Sequence, residues 1–339
     1  MSIESQEAGF SPEIREGNIL HVSVESQPGL ALATRVLKES KDELPSGLDQ
    51  EALYHAALSF EHPEYSHAIR EFLANDKQIS DPAARESDVH ALLERARQDL
   101  TPEEEKKIAG VAEGAEAWWQ ENLEDVRERT HAINSYFRVQ PRQTLLISPS
   151  DKDFDSKRGS GFDLGETWVV RVPQDMRVLE HEYMHSFMNN IADRTTEQLT
   201  AEQKQKIIEQ ASPRLIIGEG YGEDPALLLT EELIRTYTDA KMRDRHLTPE
   251  RFEMSVAALD QEEFERLANT TSTGEQLAEL GIGSLKDFKK RAKEFYERFE
   301  QNKLEETLLT IYHKYDQART RDASLSFEHF LGQTLPEHL

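Results

Sequence analysis

Two histidines four residues apart, His181 and His185, stand in a stretch that reads as helix, with Glu182 directly after the first (His181-Glu182-Tyr183-Met184-His185). Positions i and i+4 of a helix lie one turn apart on one face, so both imidazoles address a common spot. Glu182 falls on the neighbouring face. This HExxH spacing lets two rings reach one zinc ion while the carboxylate touches a water beside the metal. The chain must therefore form a helix here and bring a further ligand to it from elsewhere.

The flanking sequence fits that demand. Thr144 to Ser148 (TLLIS) predicts a short apolar strand, stopped by Pro149. Pro149 to Gly165 is rich in Gly, Asp and Ser and is expected to be loop. Glu166 to Val172 (ETWVVRV) predicts a second strand with Trp168, Val170 and Val172 on one side, ended by Pro173. Asp175 can cap the HExxH helix. Tyr183, Met184, Phe187, Met188 and Ile191 spread over adjacent faces of that helix, so most of it should be buried.

Upstream, residues 1 to 17 look frayed, and Asn18 to Glu25 alternates as a short strand that Pro28 and Gly29 break. From Leu30 the chain reads as helix, punctuated near Ser46-Gly47, Glu61 to Pro63 and Asp81-Pro82. Thr101, Pro102 and Glu104 form the signature of a capping box with proline at the first helical position. Ile108, Val111, Ala115, Trp118, Val126, Ile133 and Phe137 continue near the 3.6 period, predicting one long helix up to Pro141. Trp118 and Trp119 are expected in the core. Downstream come a polar helix over Thr195 to Ser212, a glycine-rich turn over Ile216 to Gly222, and a helix opened by Asp224 and Pro225 that runs to about Arg243. The rest is helical and charged. Phe288, Ala292, Phe295 and Phe299, then Leu304, Leu308, Ile311 and Tyr315, are spaced for two packed helices instead of one long coiled coil.

Bulk properties narrow the function. The chain has 339 residues and no cysteine, so any zinc must be held by His, Asp or Glu. A formal net charge of -25 argues against nucleic-acid binding and against docking on an anionic bilayer. No apolar run is long enough for a membrane span, and the polar, acidic N-terminus has no signal-peptide pattern, so a cytoplasmic location is expected.

A catalytic zinc site usually has three protein ligands. A third His or Asp in the metzincin spacing is excluded, because Met188 and Ile191 occupy those positions. Asp193 would have to curl back from the end of the same helix. Glu231 and Glu232 stand among Leu227, Leu228, Leu229, Leu233 and Ile234, where a buried acid is costly without a partner. Glu231, flanked by Leu227, Leu228 and Ile234, points inward more than Glu232 does. The competing role for Glu231 is a surface ion pair with Arg235 at i+4.

With His181-Glu182-x-x-His185 and the Glu231-Glu232 helix roughly 45 residues later, the chain resembles the gluzincins, HExxH zinc metallopeptidases whose third ligand is a Glu on a later helix. The runs LEHEYMHSFMNN and TEELIRTYTDA also resemble bacterial HExxH proteins. The resemblance covers about 145 to 245. It implies an α+β, predominantly α-helical fold: a zincin-like core over 141–247 with a small sheet packed on the HExxH helix, flanked by helical regions at 1–140 and 248–339. It departs from the thermolysin-type Asn-Glu-x-x-x-Asp pattern, since Thr230 precedes Glu231 and Arg235 stands four residues after it.

The activity so implied is peptide-bond hydrolysis by a zinc-activated water, with His181, His185 and Glu231 as ligands, Glu182 as general base, and a peptide or protein as substrate. Tyr221 is the leading donor to the oxyanion, with Tyr237, Arg235 and His246 as others. The strand over 166–172 offers an edge to an extended peptide. The alternative is a catalytically inactive zincin-like or acidic helical protein that acts as a binding module.

Overall fold

The computed structural model describes residues 20–25, 28–39, 50–60, 62–75, 79–150, 160–211, 224–241, 261, 264–265, 282–290 and 303–339. The described residues are mostly helical with one small mixed sheet, so the fold is α+β. Its strands are β1 (His21–Val24), β2 (Thr144–Pro149), β3 (Ser160–Leu164) and β4 (Thr167–Val172), in the order β1-β2-β4-β3. β2 pairs in parallel with both β1 and β4, while β3 runs antiparallel to β4.

The register divides the sheet into two apolar faces. Leu146, Val169 and Phe162 lie level with one another on one face. Together with Leu164 they join the core of α1 (Pro28–Glu39), α2 (Gln50–Leu58), α3 (Ser66–Asn75) and α4 (Pro82–Gln98), where Leu30, Leu53, Ile69 and Leu93 are fully buried. Side chains alternate along a strand, so Leu145 and Ile147, level with Trp168 and Val170, take the opposite face. Trp168, Val170 and Val172 share a side, as their alternation predicts.

Several elements differ from the sequence expectation. β1 ends before Pro28 and Gly29, as expected, but these two residues already open α1; a side chain at Gly29 would meet the Ala57 carbonyl, so the glycine lets α1 and α2 approach. The predicted loop over 149–165 contains β3. Its apolar signal is only Phe162 and Leu164, and Gly165 (φ 75°) turns it directly into β4. β4 is therefore interior, hydrogen-bonded on both sides, and cannot offer the edge expected of residues 166–172.

The long helix predicted from Thr101 is two helices, α5 (Pro102–Glu121) and α6 (Leu123–Phe137). The capping box of Thr101 and Glu104 forms as expected. Asn122 then ends α5, its side-chain amide donating to the Trp118 carbonyl at 2.7 Å. Arg138, in the left-handed region (φ 56°), ends α6 before Pro141 is reached. Trp119 is fully buried, as a core role requires.

α7 (Met176–Glu197) carries the HExxH and absorbs the start of the predicted polar helix. Thr195 does not cap, since its hydroxyl bonds back to the Ile191 carbonyl at 2.7 Å. Thr200 caps instead, forming a capping box with Gln203 at the start of α8 (Ala201–Gln210). Asp224 accepts from the Ala226 and Leu227 amides and opens α9 (Pro225–Arg235), which passes into a π-helical turn over Thr236–Lys241. α10 (Lys303–Arg321) buries Leu304, Leu308, Ile311 and Tyr315 as their spacing predicts. Its Tyr312 hydroxyl donates to the Leu233 carbonyl at 3.0 Å and its ring stacks on Phe327 of α11 (Phe327–Thr334). Phe288 packs with Phe264 and Ile282. Residues 1–17, Ala292, Phe295 and Phe299 lie outside the described residues.

The chain divides into two compact units, Met1–Ser186 and Phe187–Leu339, and the division falls inside α7. No described helix is long and apolar enough to cross a membrane.

Candidate metal centre

α7 begins where Asp175 accepts from the Arg177 amide at 2.9 Å and from the Leu179 amide through its carbonyl. Leu179, Tyr183, Met184, Met188 and Ile191 are buried along it. Three further contacts fix the HExxH turn. The indole N–H of Trp168 donates to the Glu182 carbonyl at 3.0 Å. Tyr183 donates to Asn134 Oδ1 at 2.9 Å and receives the Asn134 amide at 2.7 Å. Burial pushes the Tyr183 phenol far above its ordinary range, more than the Asn134 contact lowers it, so the ring stays neutral. Glu180, also buried, is held by Arg129 at 2.6 Å. Arg129 bonds Asp125 as well, and these two carboxylates outweigh its partial burial and raise the guanidinium further.

Trp168, Asn134 and Arg129 were not singled out from sequence as supports of this turn. Asn134 left a faint trace: it is a polar residue beside the buried Thr130, Ile133 and Phe137 of α6. Gly161 permits the Trp168 contact, because a Cβ there would lie 2.5 Å from the indole.

His181 Nε2 and His185 Nε2 lie 3.3 Å apart, their rings inclined at 69°. Each ring offers one ligand nitrogen and Glu231 a carboxylate oxygen, and these atoms all lie within 4.8 Å of one another. No other such group of three occurs among the described residues. Both histidines are half-buried and Glu231 is 2% exposed. Glu232 is as buried as Glu231 but is not part of the group. Asp193, an alternative third ligand, is exposed on α7 and also outside it; partial burial first, then Asp224 and Glu197, raise its carboxyl.

The remaining expected residues divide. Arg235 Nε donates to Glu231 Oε2 at 3.2 Å, so the ion pair expected as an alternative role for Glu231 exists alongside the histidine cluster. Tyr237 is buried with its ring against Tyr312. Tyr221, His246 and the glycine-rich turn lie outside the described residues.

Two imidazoles and a carboxylate form a donor set that could hold a divalent metal ion. No protein-family model, no curated protein and no solved structure matches the chain.

Proposed function

We propose that this protein is a zinc-dependent metallopeptidase of gluzincin type, with a zincin-like core in which the small sheet supports the HExxH helix. The convergence of His181, His185 and the buried Glu231 carries this reading, with Glu182 on the adjoining face of the same helix turn. A bound zinc ion would supply a Lewis acid that polarises the substrate carbonyl and makes water acidic near neutral pH.

The chain's own groups do the rest. Glu182, half-buried, takes a proton from the attacking water and later passes it to the leaving amine. Trp168, bonded to the Glu182 carbonyl, and Tyr183, bonded to Asn134, keep that turn from rotating. The oxyanion takes a donor from the chain, for which we propose Tyr221. An extended peptide finds its edge on β3, the outer strand beside β4.

The test pairs metal analysis with one substitution. Purified protein should hold about one zinc per chain by plasma mass spectrometry. Glu182→Gln should keep that zinc and lose cleavage of a mixed fluorogenic peptide library by roughly 10²–10⁴-fold. Wild-type protein that takes up no zinc overturns the metal centre and favours a binding module. A Glu182→Gln variant as active as wild type overturns the assignment of the base.

A further inference from the structure

Glu231 makes a contact that ligation alone does not require. Arg235, one turn later and the last residue of α9, donates its Nε to Glu231 Oε2. The carboxylate side chain is 3% exposed and the arginine side chain 26%, so the guanidinium reaches the buried acid from the rim. Resting on the metal-centre reading above, we infer that Arg235 is a positioning residue that restricts Glu231 to ligation through a single oxygen.

A carboxylate can bind a cation through one oxygen or both. With neither oxygen engaged, the two modes differ only by a small rotation of the carboxylate. A guanidinium N–H on Oε2 occupies one lone pair of that oxygen with a charge-assisted bond and holds the plane of the group, so a two-oxygen mode would have to strain that bond. One-oxygen ligation keeps the coordination number low and leaves the remaining position to water and substrate, which is what separates a catalytic site from a closed structural one. An exposed i,i+4 pair would contribute little. Here the acid is buried, so solvent does not compete the arginine bond away, and its loss removes one constraint on the carboxylate plane. The backbone supports this assignment. The helix keeps its α pitch through Arg235, which preserves the one-turn spacing to Glu231, and widens into a π turn only from Thr236.

The experiment substitutes cobalt(II) for zinc in the full chain and compares wild type with Arg235→Met and Arg235→Lys. Cobalt(II) absorbs visible light several-fold more strongly in a four-coordinate site than in a five-coordinate one. Arg235→Met should weaken that band as the second oxygen of Glu231 enters. It should also lower zinc affinity about 10–100-fold in chelator competition, the usual cost of losing a partner of a metal ligand. Arg235→Lys keeps a cation without the planar fork and should fall between; if Arg235→Met does not fold, this variant carries the test. A purely structural role would lower the melting temperature and leave the cobalt band unchanged. A wild-type band together with equal or tighter zinc binding in the variants overturns the role of Arg235 alone. Wild-type protein that takes up neither cobalt nor zinc overturns the metal centre beneath it.

Discussion

Glu86 and Glu231 are both 2% exposed, and each has an arginine and at least one histidine nearby, yet their surroundings are chemically opposite. Glu86, on α4, receives the Ser59 hydroxyl and Arg70 Nε, each at 2.6 Å. The neighbouring histidine, His90, addresses Ser59 Oγ and the Ala56 carbonyl instead of the acid. The acid there is held by a hydroxyl and a guanidinium, and the histidine faces other acceptors. Around Glu231, two imidazole nitrogens converge with the carboxylate on one spot. The comparison teaches that a buried acid near a histidine is not by itself a sign of metal. Convergence is the difference: at Glu231 two ring nitrogens and a carboxylate oxygen all lie within 4.8 Å of one another, a geometry that one ion could bridge, and among the described residues no such group surrounds Glu86.

The sharpest way to break that contrast is to exchange the fates of the two acids. Glu231→Ala should abolish stoichiometric zinc, measured by metal content after dialysis. Glu86→Ala should leave zinc content unchanged and lower unfolding stability by about 1–3 kcal/mol, read from urea melts. The lower end of that range is expected, because Arg70 is half-exposed and finds water once its partner is gone. Zinc loss in Glu86→Ala, or retention in Glu231→Ala, would erase the distinction.

A pH series sharpens it further. Burial pushes the Glu86 carboxyl up, but hydrogen bonds from Ser59, Arg70 and Ser66 outweigh that and hold it below the ordinary carboxylate range. Its folded-state value is therefore depressed. The stability it contributes is present above about pH 4.3, the unfolded value, and is lost as pH falls through the folded value. Urea midpoints should drop on acidification below that point, and Glu86→Gln should remove part of the drop.

Smaller effects test the support of α7. Gly161→Ala forces a methyl against the Trp168 indole and should cost about 1–3 kcal/mol in thermal melts, with a weaker Trp168 contact to Glu182. Tyr183→Phe removes the hydroxyl shared with Asn134 and should cost about 1 kcal/mol, with zinc still bound.

What the sequence disclosed followed the range of its signals. His181 and His185 are one turn apart, and Asp175, Thr101 and Asp224 act on amides two or three residues away, so local spacing was enough to find them. Glu231 was legible because an acid among leucines is anomalous on its own helix. β3 was not, since Gly161, Asp163 and Ser160 mask two apolar residues in a short segment. Nor was the division at Asn122, because the apolar period runs on across it from Trp119 to Val126. Trp168 with Glu182, Asn134 with Tyr183 and Ser59 with Glu86 join distant positions, and nothing in either member's local sequence names the other.

The parallel pairing of β1 with β2 has a consequence for the order of assembly. Val22 and Val24 lie beside Leu145 and Ile147, with α1 to α6 between them in the chain. Closing so long a loop costs entropy that four edge residues repay only partly. The helices can gather local contacts first, and β2, β4 and β3 are close enough in sequence to pair among themselves. β1 is thus expected to be the last strand to join and the first to let go. Its amides should exchange with solvent ahead of those of β2, while the part of the sheet beneath the HExxH helix stays shut.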